Sequence, residues 1–216
     1  MIERLLPPAA VAAEVFGDET TDLFPAEEAA IARAVDKRRR EFTSVRACAR
    51  RALAELGLPA VPLVPGERGA PQWPDGITGS MTHCDGYRGC VLARTTDFTS
   101  IGLDAEPNLP LPDGVAGVIS LPEERAQLAT LAREQPAGPC WDRLLFCAKE
   151  SVYKAWFPVT RKWLDFESAR IRFSPGGEFT AELLVDAPMP GFTGRWLCGT
   201  EHLVTLIMNE HRPQAS

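Results

Sequence analysis

The sequence has 216 residues, 45% of them hydrophobic and 24% charged, an ordinary globular balance that excludes a disordered chain, collagen or a fibre. Its net charge of −6 argues against a general nucleic-acid binder. No apolar run approaches the ~20 residues that span a bilayer.

Met1-Ile2-Glu3-Arg4 lacks the positive-then-apolar layout of a secretory signal, so the expected location is cytoplasmic, with no membrane partner. The length suits one sizeable core or two small ones packed together. Pro25 opens a long helical pattern, with Glu27 and Glu28 in its first turn, where the helix dipole favours acids. Ile31, Val35, Phe42, Val45, Ala49, Leu53 and Leu56 recur at helical steps until Gly57 and Pro59 end the run. Lys37, Arg38, Arg39, Arg40, Arg46, Arg50 and Arg51 are concentrated on its polar side. An acidic chain that gathers its cations in one helix is built to meet a compact polyanion there.

Residues 60–76 read as a proline-punctuated loop with a short strand. Strands are expected at Ile77–His83, Tyr87–Arg94 and Ser100–Glu106, with Asp85-Gly86 as a tight turn between the first two. Pro107 to Pro112 marks a junction between two halves, residues 1–107 and 108–216. The second half opens on helix signals around Pro122-Glu123-Glu124. A stronger helix follows from about Cys140 to Phe157, closed by Pro158, with Trp141, Leu144, Leu145, Ala148, Val152, Ala155 and Trp156 on its apolar face. The last strands are expected at Ala169–Phe173, Glu178–Val185 and Arg195–Met208, the last interrupted near Gly199. Helix plus about three antiparallel strands in each half gives an α+β fold. No short internal repeat stands out.

Cys48, Cys84, Cys90, Cys140, Cys147 and Cys198 contain no C-x-x-C pair and read as reduced, mostly buried thiols. Asp104 and Glu106 stand two apart on a strand, so both carboxylates project from one face. Such a pair repels itself unless a cation or hydrogen bonds intervene, and oxygen ligands favour Mg²⁺. A solvated strand end fits the same residues. Glu150 and Lys154, four apart on a helix, share a face and could be an ordinary ion pair. Yet Lys149, Glu150, Tyr153 and Lys154 interrupt an aromatic, small-residue helix, where charges need partners. A metal-binding carboxylate flanked by two lysines would suit a diphosphate. His83, beside the turn, is either structural or a phosphate donor.

The combination is more specific than its parts. Gly79-Ser80-Met81-Thr82-His83, then Ile101-Gly102-Leu103-Asp104-Ala105-Glu106, then Phe146-Cys147-Ala148-Lys149-Glu150-Ser151-Val152-Tyr153-Lys154-Ala155-Trp156, resembles the signature motifs of Sfp/EntD-type 4′-phosphopantetheinyl transferases. The run Lys37 to Phe42 with Arg46 and Arg50 resembles that family's coenzyme-A-binding helix. The similarity extends over about residues 25 to 170, including Trp73-Pro74-Asp75-Gly76 and Lys162-Trp163-Leu164.

The resemblance implies a pseudo-dimer of two similar α/β halves with the active site between them. It also implies a magnesium-dependent enzyme that transfers 4′-phosphopantetheine from coenzyme A to a serine of apo acyl or peptidyl carrier proteins. Asp104, Glu106 and Glu150 match its Mg²⁺ ligands, and Glu150 also matches the proposed base. Lys149 and Lys154 match lysines at the diphosphate and leaving group. Arg38, Arg46, Arg50 and His83 match positions near the nucleotide phosphates. Some relatives carry a lysine in the loop before the tryptophan, where this chain has Pro65-Gly66-Glu67-Arg68; Arg68 would take that role. The expected setting is polyketide, non-ribosomal peptide or siderophore assembly by a monomer. The rival readings are a hydrolase of coenzyme-A-type diphosphates and a non-catalytic binder of carrier proteins.

Overall fold

The computed structural model describes residues 1–211. The elements run β1 (Ala10–Phe16), α1 (Pro25–Ala30), α2 (Asp36–Glu55), β2 (Ile77–Cys84), β3 (Tyr87–Arg94) and β4 (Phe98–Pro107). They continue with α3 (Val115–Ile119), α4 (Pro122–Glu134), α5 (Trp141–Thr160), β5 (Ala169–Ser174), β6 (Glu178–Leu183), β7 (Gly191–Cys198) and β8 (His202–Glu210). The chain divides into two compact units, Met1–Ile101 with Glu210 and His211, and Gly102–Asn209. Each has one 20-residue helix, α2 or α5, and the fold is α+β with pseudo-symmetric halves. No described helix is long and apolar enough to cross a membrane.

In the first unit the sheet order is β1-β3-β2. Strand β3 is central, and Tyr87 to Ala93 are buried, as expected for a strand with neighbours on both edges and a helix on one face. Cys48, Ala49, Ala52 and Leu53 of α2 form a core with Ile77 of β2 and Cys90 and Leu92 of β3. Cys84 pairs with Tyr87 across the two-residue turn, where Gly86 takes a φ of 74° that glycine adopts without steric cost.

Two sequence expectations change here. The single helix from Pro25 is two helices, because Val35 is extended (φ −67°, ψ 158°) and Arg39 caps the Ile31 carbonyl at 2.8 Å. The first sheet's third strand is β1 rather than the segment after β3. Strand β4 instead belongs to the second sheet, ordered β4-β8-β7-β6-β5.

The second unit is built on α5. Leu144, Leu145, Ala148, Val152, Ala155 and Trp156 form a core with Ile171, Phe173, Phe179, Trp196, Leu203 and Ile207 of the sheet. Helix α5 continues through Pro158 to Thr160 and stops where Arg161 turns left-handed (φ 57°). A proline in the last turn removes one backbone bond there and does not end the helix. The expected break near Gly199 separates β7 from β8.

Candidate active site

Gly102 sets the geometry. A Cβ there would lie 1.9 Å from the carbonyl oxygen of Ser151, so only glycine lets β4 run this close to the backbone of α5. The approach places Asp104 of β4 beside Lys154 of α5. The Lys154 ammonium donates to Asp104 Oδ1 at 2.7 Å and to the Leu103 carbonyl at 2.9 Å. Burial disfavours the charged lysine, but the charge and hydrogen bond of Asp104 outweigh it and raise its pKa.

Glu106, two residues on, accepts a hydrogen bond from Arg143 at 2.9 Å. Burial, then the negative charge of Asp104, pushes the Glu106 carboxyl above the ordinary range. The same two causes raise Glu150. Glu150 makes no hydrogen bond or ion pair among the described residues. It lines a pocket of about 110 Å³ with Lys149, Tyr153, Trp163, Leu164, Asp165, Phe166 and Ala169. The Trp163 ring stands 5.1 Å from Tyr153 and donates its indole N–H to Asp165.

Three carboxylates whose charges disfavour one another are a donor set of hard oxygens, the chemistry that Mg²⁺ selects. Among the described residues no group of three His, Cys, Asp or Glu side chains is arranged to hold a metal ion. Lys154 and Arg143 instead neutralise two of the three carboxylates. The set fits a divalent cation by composition and by its excess of negative charge.

The arginines of the basic helix divide into two groups. Arg38 is exposed and hydrogen-bonds His83 Nε2; Glu41 lies 3.3 Å from the same nitrogen. Arg46 is buried, donates to the Leu63 carbonyl at 2.9 Å and lies 3.3 Å over the Phe42 ring. Burial holds its pKa down at about 10. Arg50 binds Thr21, the Asp22 carbonyl and the fully buried Glu27.

Lys149 has a closely parallel setting. Its side chain is 1% exposed, and its ammonium is bound to Glu124 at 2.8 Å and to the Phe166 carbonyl at 2.7 Å. Burial lowers its pKa, and Glu124 opposes that fall. Glu27 accepts from the Phe24 and Leu63 amides, both at 2.9 Å. Glu124 accepts from the Leu121 and Ile171 amides, both at 2.7 Å. Each glutamate thus starts a proline-led helix and ties it to a cation on the long helix of its own unit. Phe24-Pro25-Ala26-Glu27 and Leu121-Pro122-Glu123-Glu124 carry this repeated pattern, which sequence reading missed. Arg143 was missed too, although it lies seven residues before Glu150, two turns back on the same helical face.

Within the second unit the structure therefore brings Asp104, Glu106, Glu150 and Lys154 together, and within the first it pairs Arg38 with His83. Arg46, Arg50 and Lys149 already spend donors on protein acceptors. Asymmetry also marks the thiols: Cys48, Cys90 and Cys147 are buried, while Cys198 is exposed. Burial raises the Cys48 pKa to about 11, the property of an inert thiol.

Two family models match the chain: the 4′-phosphopantetheinyl transferase N-terminal domain over residues 26–93 and the 4′-phosphopantetheinyl transferase superfamily over residues 100–206. The chain is 55% identical over 218 residues to 4′-phosphopantetheinyl transferase Svp of Streptomyces mobaraensis, covering 96% of this chain and 88% of that protein. It is 48% identical over 223 residues to 4′-phosphopantetheinyl transferase Npt of Nocardia iowensis, with coverages of 96% and 99%. It is 51% identical over 195 residues to 4′-phosphopantetheinyl transferase PptT of Mycobacterium tuberculosis, covering 85% of each.

Proposed function

This chain belongs to the 4′-phosphopantetheinyl transferase family, and we propose that it transfers 4′-phosphopantetheine from coenzyme A to a carrier-protein serine, dependent on Mg²⁺ and with release of adenosine 3′,5′-bisphosphate. One observation carries the mechanism. Glu150 is the carboxylate in its cluster that makes no hydrogen bond or ion pair among the described residues, and it fronts a pocket.

Glu150 accepts the proton of the acceptor serine. Asp104 and Glu106 each already spend an oxygen on Lys154 or Arg143, whereas Glu150 gives no oxygen to a hydrogen bond and so has one for the proton besides one for a metal. Lys154, held by Asp104 beside Glu150, stabilises the charge that gathers on the anhydride's bridging oxygen as it leaves with adenosine 3′,5′-bisphosphate. Asp104, Glu106 and Glu150 would hold Mg²⁺, whose charge would neutralise the diphosphate as its bridging bond breaks. The pocket beside Glu150, walled by Tyr153, Trp163, Leu164 and Phe166, suits the narrow uncharged arm of pantetheine better than the nucleotide.

Arg38 and His83 would bind nucleotide phosphate, displacing their contacts with Glu41. Arg46, Arg50 and Lys149 support the same ligand by fixing the elements that carry the binding groups. The carriers would be acyl and peptidyl carriers of polyketide, non-ribosomal peptide or siderophore assembly.

Mg²⁺ dependence is tested by stripping the enzyme with EDTA and titrating Mg²⁺ back. Wild type should lose and regain transfer, whereas Asp104→Ala and Glu106→Ala should stay folded and recover little at limiting Mg²⁺. Near-normal turnover by either variant would remove that residue from the ligand set. Consumption of coenzyme A without carrier protein would favour the hydrolase instead.

A further inference from the structure

Arg143 is not one of the residues that carry the family resemblance, yet it uses its guanidinium in three directions. Nη1 donates to Glu106 Oε2 at 2.9 Å, Nε to the Leu109 carbonyl at 3.0 Å and Nη2 to the Pro110 carbonyl at 2.9 Å. Its side chain is 17% exposed and that of Glu106 18%, so the pair is largely withdrawn from water. Residues 108–111 are fastened to the start of α5 at further points. The Cys140 amide donates to Asn108 Oδ1 and the Leu111 amide to Asp142 Oδ2, each at 2.9 Å. The segment after β4 is thus strapped to the first turn of α5.

We propose that Arg143 is a positioning residue that aims Glu106 at the divalent cation through its own hydrogen bond to that carboxylate. The inference rests on the proposed role of Glu106 as a metal ligand. Glu106 gives one oxygen to Arg143, and its other oxygen makes no hydrogen bond among the described residues. A carboxylate held by one oxygen presents the second in a fixed direction, as outer partners of metal ligands do. The planar guanidinium fork suits such a role, because one edge holds the carboxylate while the remaining N–H groups bind two backbone carbonyls. A lysine is a point charge and cannot fix all three acceptors in one plane.

The test measures Mn²⁺, as a spectroscopic stand-in for Mg²⁺, binding to the full chain with coenzyme A and no carrier protein. Electron paramagnetic resonance reads free Mn²⁺, and coenzyme A alone provides the blank. Wild type should take up Mn²⁺ beyond the blank. Arg143→Met should weaken that uptake about 10–100-fold, the usual effect of losing an outer partner of a metal ligand. Arg143→Lys should fall between the two, and it carries the test if Arg143→Met does not fold. Asn108→Ala loosens the strap but leaves Arg143 on Glu106, so it should bind Mn²⁺ as wild type does. Equal affinity in wild type and Arg143→Lys, or equal losses in Asn108→Ala and Arg143→Met, would overturn the positioning role while leaving the metal reading intact. No uptake by wild type beyond the blank would overturn the metal reading, and this inference with it.

Discussion

At the scale of single residues, the site turns on which carboxylates are already engaged. Asp104 answers Lys154 and Glu106 answers Arg143, leaving Glu150 for the acceptor. Glu150→Gln keeps the shape and one oxygen ligand but cannot take a proton. It should bind coenzyme A within a few-fold of wild type, by calorimetry, while transfer falls on the order of 10²–10⁴-fold. Lost coenzyme A binding would make Glu150 chiefly a binding ligand. Away from the site, Glu14 accepts hydrogen bonds from Tyr87, the Ile2 amide and the Met1 ammonium. Burial alone would raise its pKa, but those bonds outweigh burial and lower it. Its stabilising contribution is therefore present above the ordinary glutamate pKa of about 4.3 and is lost as pH falls through the lower folded value. Glu14→Gln should flatten the loss of stability on acidification in that window, read by urea unfolding at stepped pH. A slope equal to wild type would remove Glu14 from the acid response.

At the scale of elements, the strand and helix that carry the chemistry are fixed by one close approach and by the buried ties of their unit. Gly102→Ala would drive its methyl into the Ser151 carbonyl and should cost about 1–3 kcal/mol of stability, as overpacking does. It should depress transfer as well, since the separation of Asp104 from Lys154 depends on that contact. A variant with wild-type stability and activity would show that the two backbones can part. Glu124→Ala would strip Lys149 of its counter-charge and leave the Leu121 and Ile171 amides unpaired. A loss of about 3–5 kcal/mol is expected, measured by denaturant melts.

These ties explain what the sequence hid. Asp104 and Glu106 were legible because a strand's period of two forces their side chains to one face. The roles of Arg50 and Lys149 were not, since their partners lie 23 and 25 residues away and helix periodicity says nothing of such distances. A repeated proline-x-glutamate at Pro25 and Pro122 was the available signal. The break before α2 was hidden because Val35 fits the apolar period, although it is 72% exposed.

At the scale of the whole molecule, the α+β class and most strand positions followed from alternation and turn residues. Strand β3 and its turn from β2 lie where Tyr87–Arg94 and Asp85-Gly86 put them. Partnerships were less legible. Ala10-Val11-Ala12-Ala13 has little intrinsic strand preference, and β1 exists because it pairs with β3 from Ala10 opposite Ala93 to Phe16 opposite Tyr87. That pairing occupies one edge of β3, β2 occupies the other, and β4 lies beside β8.

The central claim is that this chain moves phosphopantetheine onto a protein serine. Intact-mass spectrometry of an apo carrier protein, incubated with the enzyme, Mg²⁺ and coenzyme A, tests it most directly. The carrier should gain the mass of one phosphopantetheine, and a carrier whose acceptor serine is replaced by alanine should gain none. An unmodified wild-type carrier in the presence of folded enzyme, with coenzyme A intact or merely hydrolysed, would contradict the account.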